Sequence, residues 1–427
     1  MIGATLRSDD SRQERTQTCS EDIRMSGMNV STTYLDHAAT TPMDPVVFDA
    51  MRPFFLESYG NPSSLHGVGR SAREALDGAR KRVAAVLGCR TDEVVFCGGG
   101  TESDNAAVFG AVYGAGRSLD AVHVVTTAIE HEAVLEACRE VERRGVAVTY
   151  LPVDRDGRVD PAQLRAAIRP ETVLVSVMYA NNEIGTIEPI VELIALLRAV
   201  NVERAGVGMT RIAFHSDACQ AAGALDCRTD VLGVDLMTLN GSKIYGPKGV
   251  GILYVRKGTP LRPLIYGGAQ EFDLRSGTEN IPGIVGFATA LDLAERHRAE
   301  EAERLRELRD RAITDILQHI PTATLNGHPT DRLPNNVNIC LGRGVDANAV
   351  LLMLDARGFA IGTKSACSEK QGASHVLEAI GVGPECQQSS IRLTFGRTTT
   401  REHVTAVVTA LVDVVTTLRA RAPMKEV

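Results

Sequence analysis

Apolar and polar positions alternate in a regular way over most of the first 290 residues. Short apolar runs at 122–126 and 172–178 predict strands, and the segment 132–144 between them repeats apolar residues at helical spacing. A predicted helix at 190–200 and a predicted strand at 212–214 continue the alternation. Strands that alternate with helices favour a mostly parallel sheet covered on both faces. We therefore predict an α/β fold with helices on both sides of the sheet.

The pattern changes after about residue 286. Residues 287–317 predict one long helix, densely charged from 295 to 311, which would bridge two domains. Beyond it we predict a smaller α/β domain, with strands at 336–341 and 390–394 and helices at 346–356 and 402–421. The domain prediction is a disordered extension at 1–30, a large domain at 46–295, and a small domain formed by 31–45 together with 296–427.

Composition and charge narrow the classes of function. Lys and Arg number 46 and Asp and Glu 53, so the net charge of −7 gives no general attraction to nucleic acid or to anionic lipid. We expect no direct nucleic-acid binding. No run of about 18 apolar residues predicts a membrane span, and residues 1–30 lack the apolar core of a signal peptide. A cytoplasmic location is therefore expected.

The nine cysteines include no CxxC pair and no zinc-ligand spacing, so we predict reduced thiols and no metal site.

An aspartate and a lysine carry the strongest chemical signal. Asp217 and Lys243 stand 26 residues apart, and each lies at the end of an apolar run. An acid that keeps a pyridinium nitrogen protonated, beside a lysine that can form a Schiff base, is the minimum equipment of a pyridoxal phosphate enzyme. The spacing fits two neighbouring strands that deliver both groups to one cofactor.

Three further segments have candidate roles at such a cofactor. Residues 94–105 predict a strand, a glycine turn and a helix start, where the Gly100 amide and the Thr101 hydroxyl could bind a phosphate. A tight connection would fit the same pattern. His131 follows a strand and could stack on an aromatic cofactor, or serve as a structural histidine. The amides of the segment 181–186, Asn181 and Asn182, could bind a ring oxygen or a substrate carboxylate, or only shape an Asx-type turn.

Taken together, these segments resemble the class-V aminotransferase-like branch of fold-type I pyridoxal phosphate enzymes, and specifically the cysteine desulfurases. The resemblance runs from residue 34 to about residue 401. The motifs occur in family order: Gly-Asn-Pro-Ser at 60–63, Gly-Thr-Glu-Ser-Asp-Asn at 100–105, Glu-His at 130–131, Asn-Asn-Glu-Ile-Gly at 181–185, Lys-Ile-Tyr-Gly-Pro-Lys-Gly at 243–249, Arg-Ser-Gly-Thr at 275–278, Ser-Ala-Cys-Ser at 365–368 and Ser-Ser-Ile-Arg at 389–392.

The resemblance implies pyridoxal 5'-phosphate as cofactor, L-cysteine as substrate and a role for each matching residue. Lys243 would form the Schiff base, Asp217 would pair with the pyridine nitrogen, and His131 would stack on the ring and take part in catalysis. The remaining implied contacts are Gln220 and Asn182 at the ring hydroxyl, Gly100, Thr101, Asn240 and Ser242 at the phosphate, Thr278 at the phosphate of the other subunit of a homodimer, and Arg392 with Asn182 at the substrate carboxylate.

The sequence departs from the family pattern just before the lysine. Relatives usually carry a histidine immediately before it and a serine two residues earlier still, where this chain has Ser242 and Asn240. Both side chains can donate hydrogen bonds to a phosphate. We therefore expect an altered affinity for the cofactor but not a loss of binding.

Cys367 is the residue that separates desulfurases from other members of the branch. It lies in a polar stretch of small residues, 362–372, which predicts an exposed, mobile loop, and Lys364 and Lys370 nearby would favour its thiolate. The resemblance implies that Cys367 attacks the substrate sulfur, which leaves L-alanine and a persulfide. A sulfur-acceptor protein would then take the sulfur, for iron–sulfur cluster assembly, tRNA thiolation or DNA phosphorothioation.

Three alternatives stay open from the sequence. The chain could be a selenocysteine lyase or another class-V enzyme on the same scaffold. It could also be a binding or scaffold protein that has lost turnover, for which the changed Asn240 and Ser242 are the only support. A dedicated sulfur donor for one partner would share the first chemical step and differ only in where the sulfur goes.

Overall fold

Short strands rich in valine, leucine and isoleucine alternate with helices along the computed structural model, which describes residues 32–363 and 374–421. The strands are β1 (Thr33–Tyr34), β2 (Val94–Cys97), β3 (His123–Thr127), β4 (Ala147–Leu151), β5 (Thr172–Ser176), β6 (Ala213–Asp217), β7 (Leu236–Asn240), β8 (Gly251–Val255), β9 (Thr324–Leu325), β10 (Asn336–Cys340), β11 (Phe359–Ala360) and β12 (Ser390–Thr394).

The helices include most of those that the apolar periodicity predicts. They are α1 (Pro45–Met51), α2 (Pro53–Leu56), α3 (Gly67–Leu87), α4 (Gly100–Gly114), α5 (Glu132–Arg143), α6 (Pro161–Ala167), α7 (Ile190–Gly206), α8 (Thr229–Leu232), α9 (Ile281–His319), α10 (Ala347–Asp355), α11 (His375–Ala379), α12 (Pro384–Gln388) and α13 (Arg401–Arg421). Short 3-10 turns lie at Thr91–Glu93, Leu119–Ala121, Gly241–Lys243 and Glu271–Asp273.

A seven-stranded sheet forms the centre of the fold, with the strand order β2–β8–β7–β6–β5–β3–β4. Every pairing from β7 to β4 is parallel, and β8 runs antiparallel to both of its neighbours. In this register Asp217 at the end of β6 lies opposite Thr238 of β7. The predicted α/β fold with a mostly parallel sheet is confirmed.

Helices cover both faces of this sheet. Along β2, Val94 and Phe96 pack into one hydrophobic cluster with α3, α7 and the first part of α9, whereas Val95 and Cys97 pack into a second cluster with α4 and α5. Successive side chains of a strand point to opposite faces, so apolar residues at every position require cover on both sides.

The helix α9 connects this core to another hydrophobic cluster. At 39 residues and 1.5 Å per residue it is about 58 Å long. Phe287 lies in the first core, whereas Leu308 and Ile316 pack with β10, α10, β12 and α13. The predicted long helix is therefore present, and it begins six residues earlier than its apolar pattern indicates. The residues from Thr33 onward form one compact unit, so the division into two domains stays a prediction.

The last helix meets the length and composition expected of a membrane span. Residues 401–420 are long and apolar enough to cross a bilayer, although only a third of that stretch is buried within the protein. Its residues Val404, Val407 and Leu411 are nevertheless fully buried against the C-terminal cluster. Core helices of globular proteins pass the same test, so one such helix is weak evidence for a membrane span.

Two cysteines depart from the expectation of reduced thiols. A disulfide joins Cys340, at the end of β10, to Cys386 in α12, with their Cα atoms 5.4 Å apart. That separation is typical of disulfides. The prediction that all cysteines are reduced is therefore wrong for this pair. The two cysteines stand 46 positions apart and gave no spacing signal, because it is the antiparallel pairing of β10 with β12 that brings α12 back beside β10.

A buried carboxyl makes the stability of the fold depend on pH. Glu188 is 2% exposed; its Oε2 accepts from the Val159 amide at 2.9 Å, and its Oε1 has no hydrogen-bond partner among the described residues. Burial raises the pKa of Glu188 from 4.5 to about 8, against the opposing effects of the Val159 amide and Arg158. Between these values the folded chain holds a proton that the unfolded chain releases, so stability falls as pH rises through this window.

Glu188→Gln should flatten that dependence. In the wild type the free energy of unfolding should be lower at about pH 9 than at about pH 5. We expect this decrease to be about 2–4 kcal/mol smaller in the variant. Urea denaturation at the two pH values measures it. Glu192→Gln, an exposed position on α7, is the matched control and should keep the wild-type slope. An identical pH dependence in both variants would contradict the assignment.

Candidate active site

The carboxyl ends of two neighbouring strands bring Asp217 and Lys243 to one edge of the central sheet. Asp217 is the last residue of β6, and Lys243 lies in the 3-10 turn that directly follows β7. Because β6 and β7 are parallel and adjacent, both ends open at the same side. Ligands of open parallel sheets bind outside the carboxyl ends of the strands.

Asp217 shares its environment with a histidine and a second acid. It is 6% exposed, and its Oδ1 accepts from the Cys219 amide at 2.9 Å. One ligand atom each of Asp217, His131 and Asp104 lies within 4.8 Å of the others. These atoms are close enough to ligate a metal ion. However, burial and the negative charge of Asp217 raise the pKa of Asp104 well above its usual range, and this shift opposes the proton loss that metal binding requires.

His131 is oriented by the start of α5. It is the N-cap residue of that helix, and its Nδ1 accepts from the Ala133 amide at 3.1 Å. A ring nitrogen that accepts carries no proton, so in the neutral ring the proton sits on Nε2. The capping contact therefore gives this histidine a structural role and fixes the orientation of its ring.

The amino-terminal segment closes the site around the lysine. Lys243 Nζ donates to the carbonyl oxygens of Ala38 and Ala39 at 2.8 and 2.7 Å, and Gln220 Nε2 donates to the Ala38 oxygen at 3.0 Å. The Gln220 amide oxygen can then accept from a ring hydroxyl. Sequence reasoning missed the two carbonyls, because backbone atoms give no residue-specific signal.

A glycine turn opens the amino terminus of α4 beside these groups. Gly99 has φ 142°, a conformation that favours glycine, and a Cβ there would meet nothing within 4 Å, so open space lies in front of the turn. A Cβ on Gly100 would lie 3.0 Å from Cys219 Sγ and 3.5 Å from Asn240 Nδ2. The first amides of a helix have no partner within it and bind anions. Gly100 and Thr101 supply such amides here.

Asn240 and Ser242, the two departures from the family pattern, have different positions. Asn240 Oδ1 accepts from both the amide and the hydroxyl of Ser242, each at 3.2 Å. The amide nitrogen of Asn240 is therefore directed toward Gly100 and the helix terminus. Asn240 is the better placed of the two to donate to an anion there, since the Ser242 hydroxyl is engaged.

A buried arginine lies behind the loop at 181–186. Arg392 is 1% exposed; it donates to the Asn182 carbonyl at 3.0 Å and to Asp36 Oδ1 at 2.8 Å, while its Nε has no hydrogen-bond partner among the described residues. Asn181 forms the Asx-type turn that the sequence left open, with Oδ1 accepting from Glu183 and Ile184. Sequence reasoning missed Asp36, the partner of the arginine.

Burial makes most cysteines poor nucleophiles. Desolvation raises the pKa of Cys89, Cys97, Cys138 and Cys227 to about 12 and that of Cys219 well above its ordinary value. Cys340 and Cys386 are joined to each other. Since the thiolate is the reactive form, these seven residues are unreactive at neutral pH. The other two cysteines of the sequence, Cys19 and Cys367, lie outside the described residues.

The residues on either side of 364–373 are fixed close to the site. Gly362 exchanges two backbone hydrogen bonds with Arg392, at 3.0 and 2.7 Å. On the other side, Ser374 donates to Glu183 Oε2 at 2.6 Å and His375 Nε2 lies 3.0 Å from the Glu130 carbonyl. The described residues that flank 364–373 therefore lie beside the arginine and the loops of His131 and Asn182.

Thr278 is the site residue that the described chain does not bring to the others. Its side chain is exposed, and it makes no hydrogen bond to the other candidate residues among those described. The other candidates in the described part of the chain lie near one sheet edge. This set fits a phosphorylated pyridine: an acid for the ring nitrogen, a lysine, and open space at a helix amino terminus for the phosphate.

Comparison with known proteins agrees with this fold and site. Residues 33–407 match the family model described as aminotransferase class-V. The match spans most of the chain and defines the class: a fold-type I scaffold of the kind used by pyridoxal phosphate enzymes.

Individual relatives indicate which family within this class the chain belongs to. The chain is 45% identical over 394 residues to "Cysteine desulfurase IscS" of Dictyoglomus turgidum, covering 92% of this chain and 97% of that protein. The solved structure named "NIFS-LIKE PROTEIN" is 34% identical with a TM-score of 0.83, covering 90% of this chain and 100% of that one. "SspA in complex with cysteine" is 33% identical with a TM-score of 0.73, covering 85% and 99%. The chain belongs to the cysteine desulfurase family.

Proposed function

We propose that this chain removes the sulfur of L-cysteine with pyridoxal 5'-phosphate as cofactor, giving L-alanine and a persulfide on Cys367. The observation that carries the proposal is the arrangement at one sheet edge. Asp217, Lys243 and His131 lie there beside the amino terminus of α4, and the residues flanking the Cys367 segment are fixed next to Arg392.

Each group at the sheet edge has a task in holding the cofactor. Asp217 would keep the pyridine nitrogen protonated, and Asn182 and Gln220 would contact the ring hydroxyl. The phosphate would lie on the amides of Gly100 and Thr101, with Asn240 and Ser242 beside it. When bound, the cofactor supplies a carbonyl carbon that binds amines and an electron sink at the substrate α-carbon.

The protein's own groups move the protons and the sulfur. Lys243 Nζ, fixed by the carbonyls of Ala38 and Ala39, would take the proton that leaves the α-carbon. His131 Nε2 would exchange a proton with the substrate thiol. The Cys367 thiolate would attack the substrate sulfur, so that an S–S bond forms and the C–S bond breaks. The electron pair of that bond stays on the carbon skeleton, which takes up protons and leaves as alanine.

Arg392 would bind the substrate carboxylate through the guanidinium edge that includes Nε. Arg392→Lys loses the planar fork, so we expect KM for L-cysteine to rise about ten- to hundredfold with cofactor binding unchanged. The control is Arg256→Lys, which changes an arginine that donates to the Val234 carbonyl away from the site. Steady-state kinetics on both variants measure the effect, and an unchanged KM in Arg392→Lys would contradict the assignment.

A homodimer would complete the site. Exposed apolar side chains are concentrated in residues 46–68, where Leu56 is 83% and Leu65 91% exposed, and Phe48 and Phe55 are more than half exposed. Soluble monomers seldom expose apolar side chains in such a concentration, which supports a subunit interface there. In the dimer we propose that Thr278 donates to the phosphate held by the partner subunit.

The persulfide would pass to a sulfur-acceptor protein. The cytoplasmic location stays a prediction.

Product analysis with purified holoenzyme tests the proposal. L-cysteine alone should give alanine and, with a thiol reductant present, sulfide in equal amounts, without any keto acid. A strict requirement for a keto acid would favour an aminotransferase. Turnover of selenocysteine but not of cysteine would favour a selenocysteine lyase. Bound cofactor without either product would favour a scaffold protein.

A further inference from the structure

The chain between β8 and α9 contains an arm, residues 264–278, that ends at Thr278. Five described residues other than glycine have a positive φ, and four of them lie in this arm: Ala269 at 48°, Glu271 at 46°, Phe272 at 60° and Asp273 at 63°. L-residues rarely adopt this conformation, and it persists only where surrounding contacts impose it. The arm is therefore held in place by something outside itself.

A buried ion pair holds the middle of the arm. The side chain of Glu271 is 2% exposed, and its two oxygens accept from the two terminal nitrogens of Arg80 at 2.5 and 2.7 Å. Oε2 of Glu271 also accepts from the Phe96 amide at 2.8 Å, and Arg80 donates to the Val94 carbonyl. Both charges are thus satisfied by specific partners, as buried charges must be.

The guanidinium of Arg80 is fixed from both sides. Its central carbon lies 4.9 Å from the ring centre of Phe96, in β2, and 4.9 Å from that of Phe272, in the arm. Such contacts favour arginine over lysine, because the planar group stacks on aromatic rings. Arg80, in α3, therefore joins the strained part of the arm to the strand that leads into the phosphate turn.

The end of the arm is held by the glycine turn and by the start of α4. Arg275 Nε donates to Glu102 Oε1 at 2.9 Å, and Glu102 Oε2 accepts from the Gly98 amide at 2.9 Å. Glu102 lies in the first turn of α4. Both anchors of the arm thus contact the strand, turn and helix that form the subunit's own phosphate site, the first at Val94 and Phe96 of β2 and the second at Glu102 of α4.

We propose that Arg80 and Glu271 are positioning residues for the cofactor phosphate of the partner subunit. They hold the arm in its strained conformation so that the Thr278 hydroxyl has a fixed place at the second copy of this chain. The proposal rests on the proposed function, from which it takes the homodimer and the role of Thr278. Loss of the fork from Arg80 frees the arm and so weakens cofactor binding.

A double-mutant cycle on the full-length apoenzyme tests the proposal. Pyridoxal phosphate is titrated into wild type, Arg80→Lys, Thr278→Ala and the double variant, and the dissociation constant is read from absorbance. We expect each single variant to bind about tenfold more weakly and the double variant to be no weaker than either. Arg73→Lys, an exposed position on α3, is the matched control and should keep the wild-type constant.

Three results would overturn the proposal. The first is an unchanged affinity for the cofactor in Arg80→Lys. The second is an effect of Arg80→Lys on that affinity that is equally large in the wild type and in Thr278→Ala, because Arg80 would then act through the fold alone. The third is an unchanged affinity in Thr278→Ala, which would also contradict the proposed contact of Thr278 with the partner subunit's phosphate. The cysteine product assay tests the desulfurase chemistry separately. If Arg80→Lys does not fold, Glu271→Gln, which can still accept from the Phe96 amide, replaces it in the same cycle.

Discussion

Cys367→Ser is expected to bind pyridoxal phosphate like the wild type and to release no sulfide from L-cysteine. A serine hydroxyl is not ionised at neutral pH and is a poor nucleophile toward sulfur, so the rate should fall by roughly three orders of magnitude or more. The seven described cysteines offer no substitute, because five have a raised thiol pKa and two are joined in a disulfide. Sulfide release measures the rate, and the absorbance of the bound cofactor shows that the site is intact.

The control for this variant is Cys89→Ser. Cys89 is only partly buried, and the pKa of its thiol is raised to about 12 by burial and by the nearby acids Glu93, Asp230 and Asp92, so it should contribute nothing to turnover. We expect wild-type activity from it. If Cys367→Ser turned over cysteine at the wild-type rate, the nucleophile would have to be sought elsewhere.

Lys243→Ala is expected to abolish both turnover and the covalent retention of the cofactor. Lys243 lies at the same sheet edge as Asp217, and its Nζ donates to two carbonyl oxygens at 2.7 and 2.8 Å. Without that amine the cofactor has only non-covalent contacts, and the α-carbon has no base. After borohydride reduction and digestion, the wild type should carry the cofactor on the Lys243 peptide, and the variant should carry none.

Lys257→Ala serves as the control, because the side chain of Lys257 is 67% exposed and follows the end of β8 that pairs with the start of β7, whereas Lys243 follows the end of β7. After borohydride reduction and digestion this variant should carry the cofactor on the Lys243 peptide, and its turnover rate should equal that of the wild type. Cofactor covalently retained on a different lysine in the Lys243→Ala variant would contradict the assignment.

Apolar periodicity predicts the elements of this fold well and their ends less well. The strand predicted at 390–394 matches β12, and the helix predicted at 132–144 matches α5 to within one residue. The helix predicted to end at residue 200 continues to Gly206. Its last turns contain Arg204, which is 6% exposed and donates to the carbonyls of Arg169, Pro170 and Thr172. Pattern reasoning treats a charged residue as surface and so ends the helix too early.

The site was predictable where it depends on side chains at strand ends. Asp217 and Lys243 stand out because each follows an apolar run, and parallel neighbours deliver both to one edge. The carbonyls that aim Lys243 and the Asp36 partner of Arg392 were not predictable. They come from more than 200 residues away along the chain, and a carbonyl oxygen is the same atom in every residue.

The proposed function requires a thiolate in the segment 364–373 to receive the sulfur of cysteine. Mass spectrometry of the protein after incubation with L-cysteine, without reductant, detects that transfer on the protein itself. We expect the Cys367 peptide to gain the mass of one sulfur atom in the wild type, and not in Lys243→Ala. Formation of alanine while the Cys367 peptide keeps its original mass, or an added sulfur on another cysteine, would exclude Cys367 as the sulfur acceptor.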